Sequence, residues 1–217
     1  AFPGVDCPAV EDQEVTLVGP SSSHFTRTAR LFALELGVPH RFEPVLDLTS
    51  TDRAAYADNP ALKVPILVDQ HGPLYGTENI CRELARRSAL AERVVLRGQV
   101  GERVVANAEE MVLHAMSADV NLIMLGTPAA ERDPPKVRRS LENALAFVDV
   151  ELDRALAALP ADRALSFLEA ALFSLATHLP FRKIMEVGAY ARICAFRDRF
   201  ATRPSARATE YRFDAAV

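Results

Sequence analysis

The chain has 217 residues, a formal net charge of −4 and 49% hydrophobic residues, which is ample apolar content for a buried core. Both charge signs are mixed along the sequence, so there is no basic footprint for nucleic acid, and no apolar run is long enough to span a membrane. Three widely separated cysteines and five histidines without a local His/Cys cluster predict neither a disulfide framework nor a metal site. We therefore expect a soluble, cytoplasmic protein without bound metal, membrane or nucleic acid.

Strands and helices are predicted to alternate through the first part of the chain, after a lead at 1–14. A short β-rich run at 15–19 ends at glycine and precedes a helix whose apolar residues recur at helical spacing as far as Leu36. The next strand, 41–47, contains Pro44, which suits an edge strand because proline cannot donate to a sheet ladder. A right-handed crossover would make these two strands parallel.

Pro65 opens the second part of this domain. It follows the β-branched Val64, and a cis bond between them would turn the backbone N–H and C=O of Val64 outward, where an extended ligand can pair with them. Residues 66–68 then predict a buried strand, 69–72 a hairpin turn and 74–75 the returning strand.

A helix is predicted to follow the hairpin, with Thr77 as its N-cap and Glu78 and Asn79 in its first turn. Unpaired N–H groups at a helix start favour an anionic ligand group. Together with the outward-facing amide of Val64, this helix start suits a peptide that carries a carboxylate.

Three serines, Ser21, Ser22 and Ser23, precede the first helix, where backbone N–H groups are unpaired and the helix dipole is positive. An anionic sulfur placed there is stabilised by a hydroxyl hydrogen bond and by the helix end. Lowering a thiol pKa from about 8.5 by roughly two units corresponds to about 2.7 kcal/mol, which these two interactions can supply. The same serines also suit plain helix capping, and both interpretations stand on the residues alone.

Strand signals stop after a linker at 86–91, which divides the chain into a mixed domain, 15–88, and an all-helical domain, 92–217. A long helix is predicted at about 93–125, ending at 126–128. A second helix is predicted after Pro134-Pro135 and closes at Pro160. An S-x-x-E capping box then opens a further helix. The remaining predicted helices lie between Pro180 and Gly188 and at 189–200.

Several motifs resemble those of the cytosolic glutathione transferase superfamily, serine type. They are the N-P-x-x-K-V-P-x-L run at 59–67, Ser23-His24-Phe25 with Arg30 seven positions after the serine, the capping box from Ser166 to Glu169, and R-P-S at 203–205. The resemblance implies an α+β fold, with a thioredoxin-like βαβ-ββα domain followed by an all-α domain.

The resemblance also implies which residues bind glutathione. Ser23 would orient the sulfur, with Ser21 as the fallback. The Val64–Pro65 bond would be cis, and the Val64 backbone beside it would pair with the cysteinyl part. Glu78 and Asn79 would hold the γ-glutamyl end. Asn79 stands where the family usually has serine, and its amide can still donate and accept hydrogen bonds.

Other positions have less specific expectations. Lys63 is predicted either to reach the glycine carboxylate of glutathione or to be a solvated lysine. His24 replaces the family's proline and is predicted to face solvent, with a position near the sulfur as the alternative. Cys81 is predicted to be a buried, inert thiol. A second-substrate pocket is expected against the long helix, at Met111, His114, Ala115 and Ala118, although a stripe at this spacing also suits a helix core.

The resemblance implies an enzyme that conjugates the glutathione thiolate to an electrophilic, apolar substrate, as in detoxification. Glutathione would be a substrate, so no separate cofactor is expected, and a homodimer is implied. Two alternatives remain open at this point. One is a glutathione-dependent isomerase, and the other is a non-catalytic binding protein that has kept the fold.

Overall fold

The computed structural model describes residues 15–124 and 135–215. The predicted lead at 1–14 and the predicted helix end at 126–128 lie outside these ranges. A four-stranded mixed sheet with two flanking α-helices forms the first domain, and helices form the second. Within the described ranges, no helix combines the length and apolar character needed to cross a membrane.

The first domain follows the predicted βαβ-ββα order. Its elements are β1 (Val15–Val18), α1 (His24–Glu35), β2 (His40–Glu43), a 3-10 turn (Arg53–Tyr56), β3 (Ile66–Asp69), β4 (Gly72–Tyr75) and α2 (Thr77–Arg86). The strand order is β2-β1-β3-β4, with β1 parallel to β2 and antiparallel to β3. The predicted edge position of β2 and its parallel pairing with β1 are both confirmed.

The two central strands, β1 and β3, carry buried residues on both faces of the sheet. Leu17 and Leu67 belong to the large core beneath α1 and α2, whereas the adjacent Val18 and Ile66 pack on the opposite face with Tyr56. This division follows from the two-residue period of a β-strand, in which neighbouring side chains point to opposite faces. The sheet therefore presents one face to the helices and the other to the loop after β2.

Two local predictions in this domain are wrong. Pro44 lies just after β2 and not inside it. Thr77 is the first residue of α2, and Gly76 is the N-cap, with φ of 89° and no side-chain cap. Glycine adopts such a positive φ at little cost, so the backbone can turn sharply from β4 into α2.

The second domain contains α3 (Arg103–Met124), α4 (Pro135–Ala158), α5 (Phe167–Phe181), α6 (Ala191–Phe200) and α7 (Pro204–Ala208). Before α3, the chain makes a 3-10 turn (Ala91–Arg93) and a short strand, β5 (Val94–Val95). This strand pairs in parallel with β6 (Leu165–Ser166). The long helix was predicted from about residue 93. It begins ten residues later, after β5 and the loop that follows it.

The helix predicted between Pro180 and Gly188 is absent. Instead, α5 continues through Pro180 and ends in a Schellman motif, in which Lys183 has φ of 56°. Its amide donates to Pro180 C=O at 3.0 Å, and Ile184 N–H donates to Leu179 C=O at 3.0 Å. A lysine rather than a glycine occupies the left-handed position, so the sequence carried no signal for this helix end.

The predicted capping box at the start of α5 is confirmed and is part of a larger network. Ser166 Oγ accepts from Glu169 N–H at 3.2 Å, and Glu169 Oε2 accepts from Ser166 N–H at 3.1 Å. Arg163 donates to both carboxylate oxygens of Glu169, each at 2.9 Å. Burial raises the pKa of Glu169, but the hydrogen bonds from Arg163 and Ser166 outweigh it and the net pKa is lowered.

We expect this network to make the protein sensitive to acid. Because the pKa of Glu169 is lower in the folded state than the unfolded value of about 4.3, its stabilisation is full above that pH and is lost as the pH falls through the folded pKa. Glu169→Gln should therefore lower the free energy of unfolding by about 2 kcal/mol at pH 7. The difference from wild type should shrink as urea unfolding is repeated below pH 4.3.

The control is Glu151→Gln, which removes an exposed i,i+3 ion pair with Arg154 on α4 and should cost less than about 0.5 kcal/mol. A stability difference between wild type and Glu169→Gln that stays constant with pH would contradict the assignment.

Candidate functional site

The sheet register brings three loop segments to one edge. Val18, the last residue of β1, pairs with Ile66 at the start of β3, and Ile66 pairs with Tyr75 at the end of β4. The serine segment after β1, the Val64–Pro65 bond before β3 and the helix start after β4 therefore lie side by side.

A cavity of about 320 Å³ lies at this edge, between the two domains. Its walls are Phe25 of α1, Leu113 of α3 and the segment from Gly76 to Asn79 at the start of α2. Two apolar side chains thus face a polar helix N-terminus across the same space. This arrangement suits a ligand with a charged end and an apolar end.

Ser23 is the N-cap of α1. Its Oγ accepts a hydrogen bond from Thr26 N–H at 3.3 Å, and its side chain is partly exposed, whereas Ser21 and Ser22 are buried. Since the oxygen acts as acceptor in the cap, the hydroxyl proton remains available for donation to an anion. Of the three serines, Ser23 is therefore the one whose hydroxyl is placed to meet a ligand.

The two preceding serines are held by the second domain and the C-terminal segment. Ser22 C=O accepts from Nε2 of His178 on α5 at 2.8 Å. Ser21 N–H donates to Asp214 Oδ2 at 2.6 Å, and Ser21 Oγ is buried without a hydrogen-bond partner among the described residues. Both serines thus shape the segment that leads into α1, and neither exposes its hydroxyl.

The Val64–Pro65 peptide bond is cis, as predicted. Pro65 is buried, and among the described residues no backbone group pairs with the N–H or C=O of Val64. Asn59 organises the approach to this bond, because its Nδ2 donates to Lys63 C=O at 2.7 Å and its Oδ1 accepts from Ala61 N–H at 3.0 Å. Lys63 itself is exposed on the loop.

At the start of α2, the first intrahelical bond runs from Ile80 N–H to Gly76 C=O, so the N–H groups of Thr77, Glu78 and Asn79 have no acceptor in the helix. The Asn79 amide is already engaged, since Nδ2 donates to Tyr75 C=O at 3.0 Å and Oδ1 accepts from Arg82 at 3.3 Å. Asn79 therefore offers the cavity its backbone more readily than its side chain.

Glu78 is held by Arg97, a residue of the segment between the domains. Arg97 donates to Glu78 Oε1 at 3.1 Å and also pairs with the exposed Glu110 of α3. Glu109 lies close by, and its pKa is raised by burial, while Gly98 N–H and Arg97 act in the opposite direction. Arg97 thus balances a local excess of carboxylates and fixes the carboxylate that faces the cavity.

His24 does not face solvent, contrary to prediction. Its side chain is 1% exposed, and its ring lies 4.4 Å from that of His178 and 4.6 Å from that of Phe25, measured between centroids. Burial, and then the neighbouring His178, place the pKa of His24 well below its ordinary value. His178 of α5 and Asp119 of α3, 3.5 Å from His24 Nδ1, are remote in sequence, so the residues around His24 do not reveal this environment.

The structure separates the four residues proposed for a second-substrate pocket. Ala115 and Ala118 lie in the core with 1% and 3% exposure, Met111 packs partly buried against that core, and His114 is exposed. None of the four lines the cavity, whose wall from α3 is Leu113. Both the core and the cleft require apolar residues from this helix, so spacing alone did not distinguish the two faces.

Cys81 is buried, as predicted, at 0% exposure in α2, and its pKa is raised by burial and then by the charge of Glu78. Arg30, part of the motif at α1, contacts the C-terminal segment and not the cavity: it lies 4.1 Å over the Phe42 ring and donates to Ala208 C=O at 3.3 Å. Neither residue takes part in the site.

A larger cavity of about 570 Å³ lies beside β2 and the loop after it, against the sheet face that carries Val18. None of the predicted site residues lines it. The candidate site therefore stays with the smaller cavity, which the starts of α1 and α2 line and which lies at the same sheet edge as the cis bond.

Sequence reasoning missed four contributors: Asn59, Arg97, Leu113 and Asp214. Asn59 had a local signal, because the side chain of an asparagine commonly accepts from the backbone N–H two residues later, which forms an Asx-turn. Arg97 and Asp214 act across the fold, at 19 and 193 residues from their partners, and no local pattern reports such pairs.

Comparison with known proteins shows which domain family and which fold this chain resembles. Residues 17–92 match the family model described as glutathione S-transferase, N-terminal domain. None of the curated proteins matches the chain in sequence.

Several solved structures share the fold at low identity. A glutathione transferase family member from Pseudomonas fluorescens Pf-5, with bound glutathione, is 20% identical with a TM-score of 0.76, covering 92% of this chain and 100% of that one. A glutathione S-transferase from Methylobacillus flagellatus KT, with glutathione bound, is 20% identical with a TM-score of 0.75, covering 90% of this chain and 98% of that one. Glutathione transferase E6 from Drosophila melanogaster is 17% identical with a TM-score of 0.73, covering 90% of each chain.

Proposed function

We propose that the protein conjugates the thiolate of glutathione to an electrophilic, apolar substrate. The proposal proceeds from two findings: the first domain is a glutathione S-transferase N-terminal domain, and the fold is that of the cytosolic glutathione transferase superfamily. The observation that carries the proposal is the convergence of the Ser23 cap, the cis Val64–Pro65 bond and the start of α2 at one sheet edge. Solved relatives with this fold contain bound glutathione.

Glutathione would lie along this edge in an extended form. The free N–H and C=O of Val64 would pair with its cysteinyl part as a neighbouring strand does. The first-turn N–H groups of α2 would bind the γ-glutamyl carboxylate, and the Glu78 carboxylate would accept from the ammonium group. The exposed Lys63 is proposed to attract the glycine carboxylate.

Ser23 would then donate its hydroxyl proton to the glutathione sulfur, which the positive end of α1 also stabilises. The resulting thiolate is the attacking species, and the protein contributes chiefly by stabilising it and by holding the electrophile close. Phe25 and Leu113 would contact the apolar part of that electrophile.

Two further parts of the proposal concern assembly and reaction type. We propose a cytoplasmic homodimer that acts in detoxification. For the dimer alone, Phe147 and Val150 offer an exposed apolar pair, at 36% and 63% exposure and three residues apart on α4. An isomerase that uses glutathione catalytically would regenerate it in each cycle, so the stoichiometric consumption of glutathione distinguishes conjugation from isomerisation.

We expect Ser23→Ala to lower kcat/KM about 100-fold with a reactive aryl or alkyl electrophile, while glutathione affinity by calorimetry stays within a few fold. A factor of 100 equals about 2.7 kcal/mol, the cost of restoring the thiol pKa by two units.

Ser23→Thr, which keeps both the cap and the hydroxyl, should retain most activity, and Ser21→Ala should be near wild type. Because Ser23→Ala also loses an N-cap worth about 1 kcal/mol, Ser166→Ala serves as a distant cap-deletion control. Wild-type activity in Ser23→Ala would refute the role of Ser23.

Glu78→Gln is expected to weaken glutathione binding about tenfold and to change kcat less than threefold, because it removes one charge-assisted contact to the ammonium group. The matched control is Glu110→Gln, since Glu110 shares Arg97 with Glu78 but does not line the cavity.

A glutathione analogue without its α-amino group makes the assignment specific. This analogue should bind wild type and Glu78→Gln with nearly equal affinity. If the tenfold difference persists with the analogue, Glu78 does not recognise the ammonium group.

A further inference from the structure

Three buried side chains from three helices meet behind the serine segment. His24 begins α1, Asp119 lies on α3 and His178 lies on α5. His178 Nδ1 is 2.6 Å from Asp119 Oδ2 and 3.0 Å from His24 Nδ1, and the remaining separation, between His24 Nδ1 and Asp119 Oδ2, is 3.5 Å. Their side chains are 1%, 0% and 2% exposed, so water does not separate these atoms from one another.

The hydrogen bond on the far side of His178 determines what its Nδ1 does. His178 Nε2 lies 2.8 Å from Ser22 C=O, and because a carbonyl only accepts, Nε2 must carry a proton. In the neutral ring, Nδ1 then carries a lone pair that points into the cluster. Metal-binding histidines are commonly oriented in this way, with one nitrogen donating to a backbone carbonyl and the other left for the ion.

The cluster thus brings three electron-rich atoms together. One proton satisfies the His178–Asp119 pair, and in the His24 tautomer protonated at Nε2, which has no hydrogen-bond partner among the described residues, the Nδ1 lone pair of His24 faces the same point. Asp119 Oδ1 is also buried with no hydrogen-bond partner among the described residues, so the carboxylate is only half satisfied. Burying a carboxylate in this state is costly unless a cation compensates it.

The spacing of the three atoms is close to that of a tetrahedral metal site. With bonds of about 2.0–2.1 Å, neighbouring ligand atoms around zinc lie about 3.3 Å apart. The observed separations of 2.6, 3.0 and 3.5 Å fall on both sides of that value. Two imidazoles and a carboxylate suit Zn²⁺, and Asp119 can coordinate through Oδ2 alone or through both oxygens.

We propose that His24, Asp119 and His178 form a structural site for a divalent transition-metal ion, with Zn²⁺ the ion it suits best. All three ligands are buried, so an ion held between them would be shielded from solvent. The sequence had predicted no metal site, because its histidines are not clustered. The ligands are 95 and 59 residues apart along the chain, and only the packing of α1 against α3 and α5 unites them.

The site would join the two domains directly behind the cavity. His24 is adjacent to Ser23 in the chain, and His178 holds Ser22 C=O. An ion at this point would therefore fix the segment that positions the Ser23 cap relative to the helical domain, although it touches neither the cavity nor its ligand.

The test uses the full-length protein, prepared without added chelator and analysed by mass spectrometry for metals. We expect about one zinc per chain. Removal of zinc and addition of Co²⁺ should give the visible absorption bands of tetrahedral cobalt, and a chelator should lower the Tm of wild type by roughly 5–15 °C.

His24→Ala and His178→Ala should lose both the zinc and the cobalt bands, and Asp119→Asn offers a milder change in case the alanine variants fold poorly. His114→Ala and His71→Ala, which remove exposed histidines, are matched controls and should keep both.

Wild-type protein without stoichiometric metal or tetrahedral cobalt bands, and with a Tm unaffected by chelator and zinc, would overturn the proposal. Retention of full cobalt binding by the His24→Ala and His178→Ala variants would overturn it as well.

Discussion

The antiparallel register of β1, β3 and β4 is the constraint on which the site depends. By pairing Val18 with Ile66 and Ile66 with Tyr75, it aligns the ends of three strands at one edge of the sheet. A shift of one residue would exchange the two faces of β3 and move Leu67 out of the core beneath α1 and α2. The core therefore maintains the register, and the register maintains the site.

Two helix N-termini then give this edge its electrostatic character. The starts of α1 and α2 present unpaired N–H groups, and the Asp214 carboxylate already accepts from Ser21 N–H beside the first of them. Glu78, balanced by Arg97, adds a negative charge at the other helix start. The cavity thus offers separate places for anionic and cationic groups.

The second domain holds α1 in position through buried polar contacts as well as apolar packing. Arg27 donates to Thr177 of α5 at 2.8 Å and to Ala206 C=O of α7 at 2.9 Å, and its guanidinium lies 4.4 Å from the Tyr211 ring. Together with the His24, Asp119 and His178 cluster, these contacts tie the serine segment to the helices. The geometry at Ser23 is therefore set by both domains.

Features with local causes were predictable from the sequence. The order of elements in the first domain, the cis bond at Pro65 and the capping box at Ser166 each follow from a few neighbouring residues and are confirmed. The environment of His24 and the end of α5 at Lys183 were missed, since the first depends on remote helices and the second on a left-handed lysine where glycine is usual. The roles of Ser23, Val64, Glu78 and Asn79 remain predictions.

The central claim is that the start of α1 stabilises a glutathione thiolate, and the most direct measurement is the ultraviolet absorbance of that thiolate in the complex as a function of pH. We expect saturable binding with a sulfur pKa about two units below the roughly 8.5 of a free thiol. An unshifted pKa in the bound tripeptide, or no binding at millimolar concentration, would contradict it.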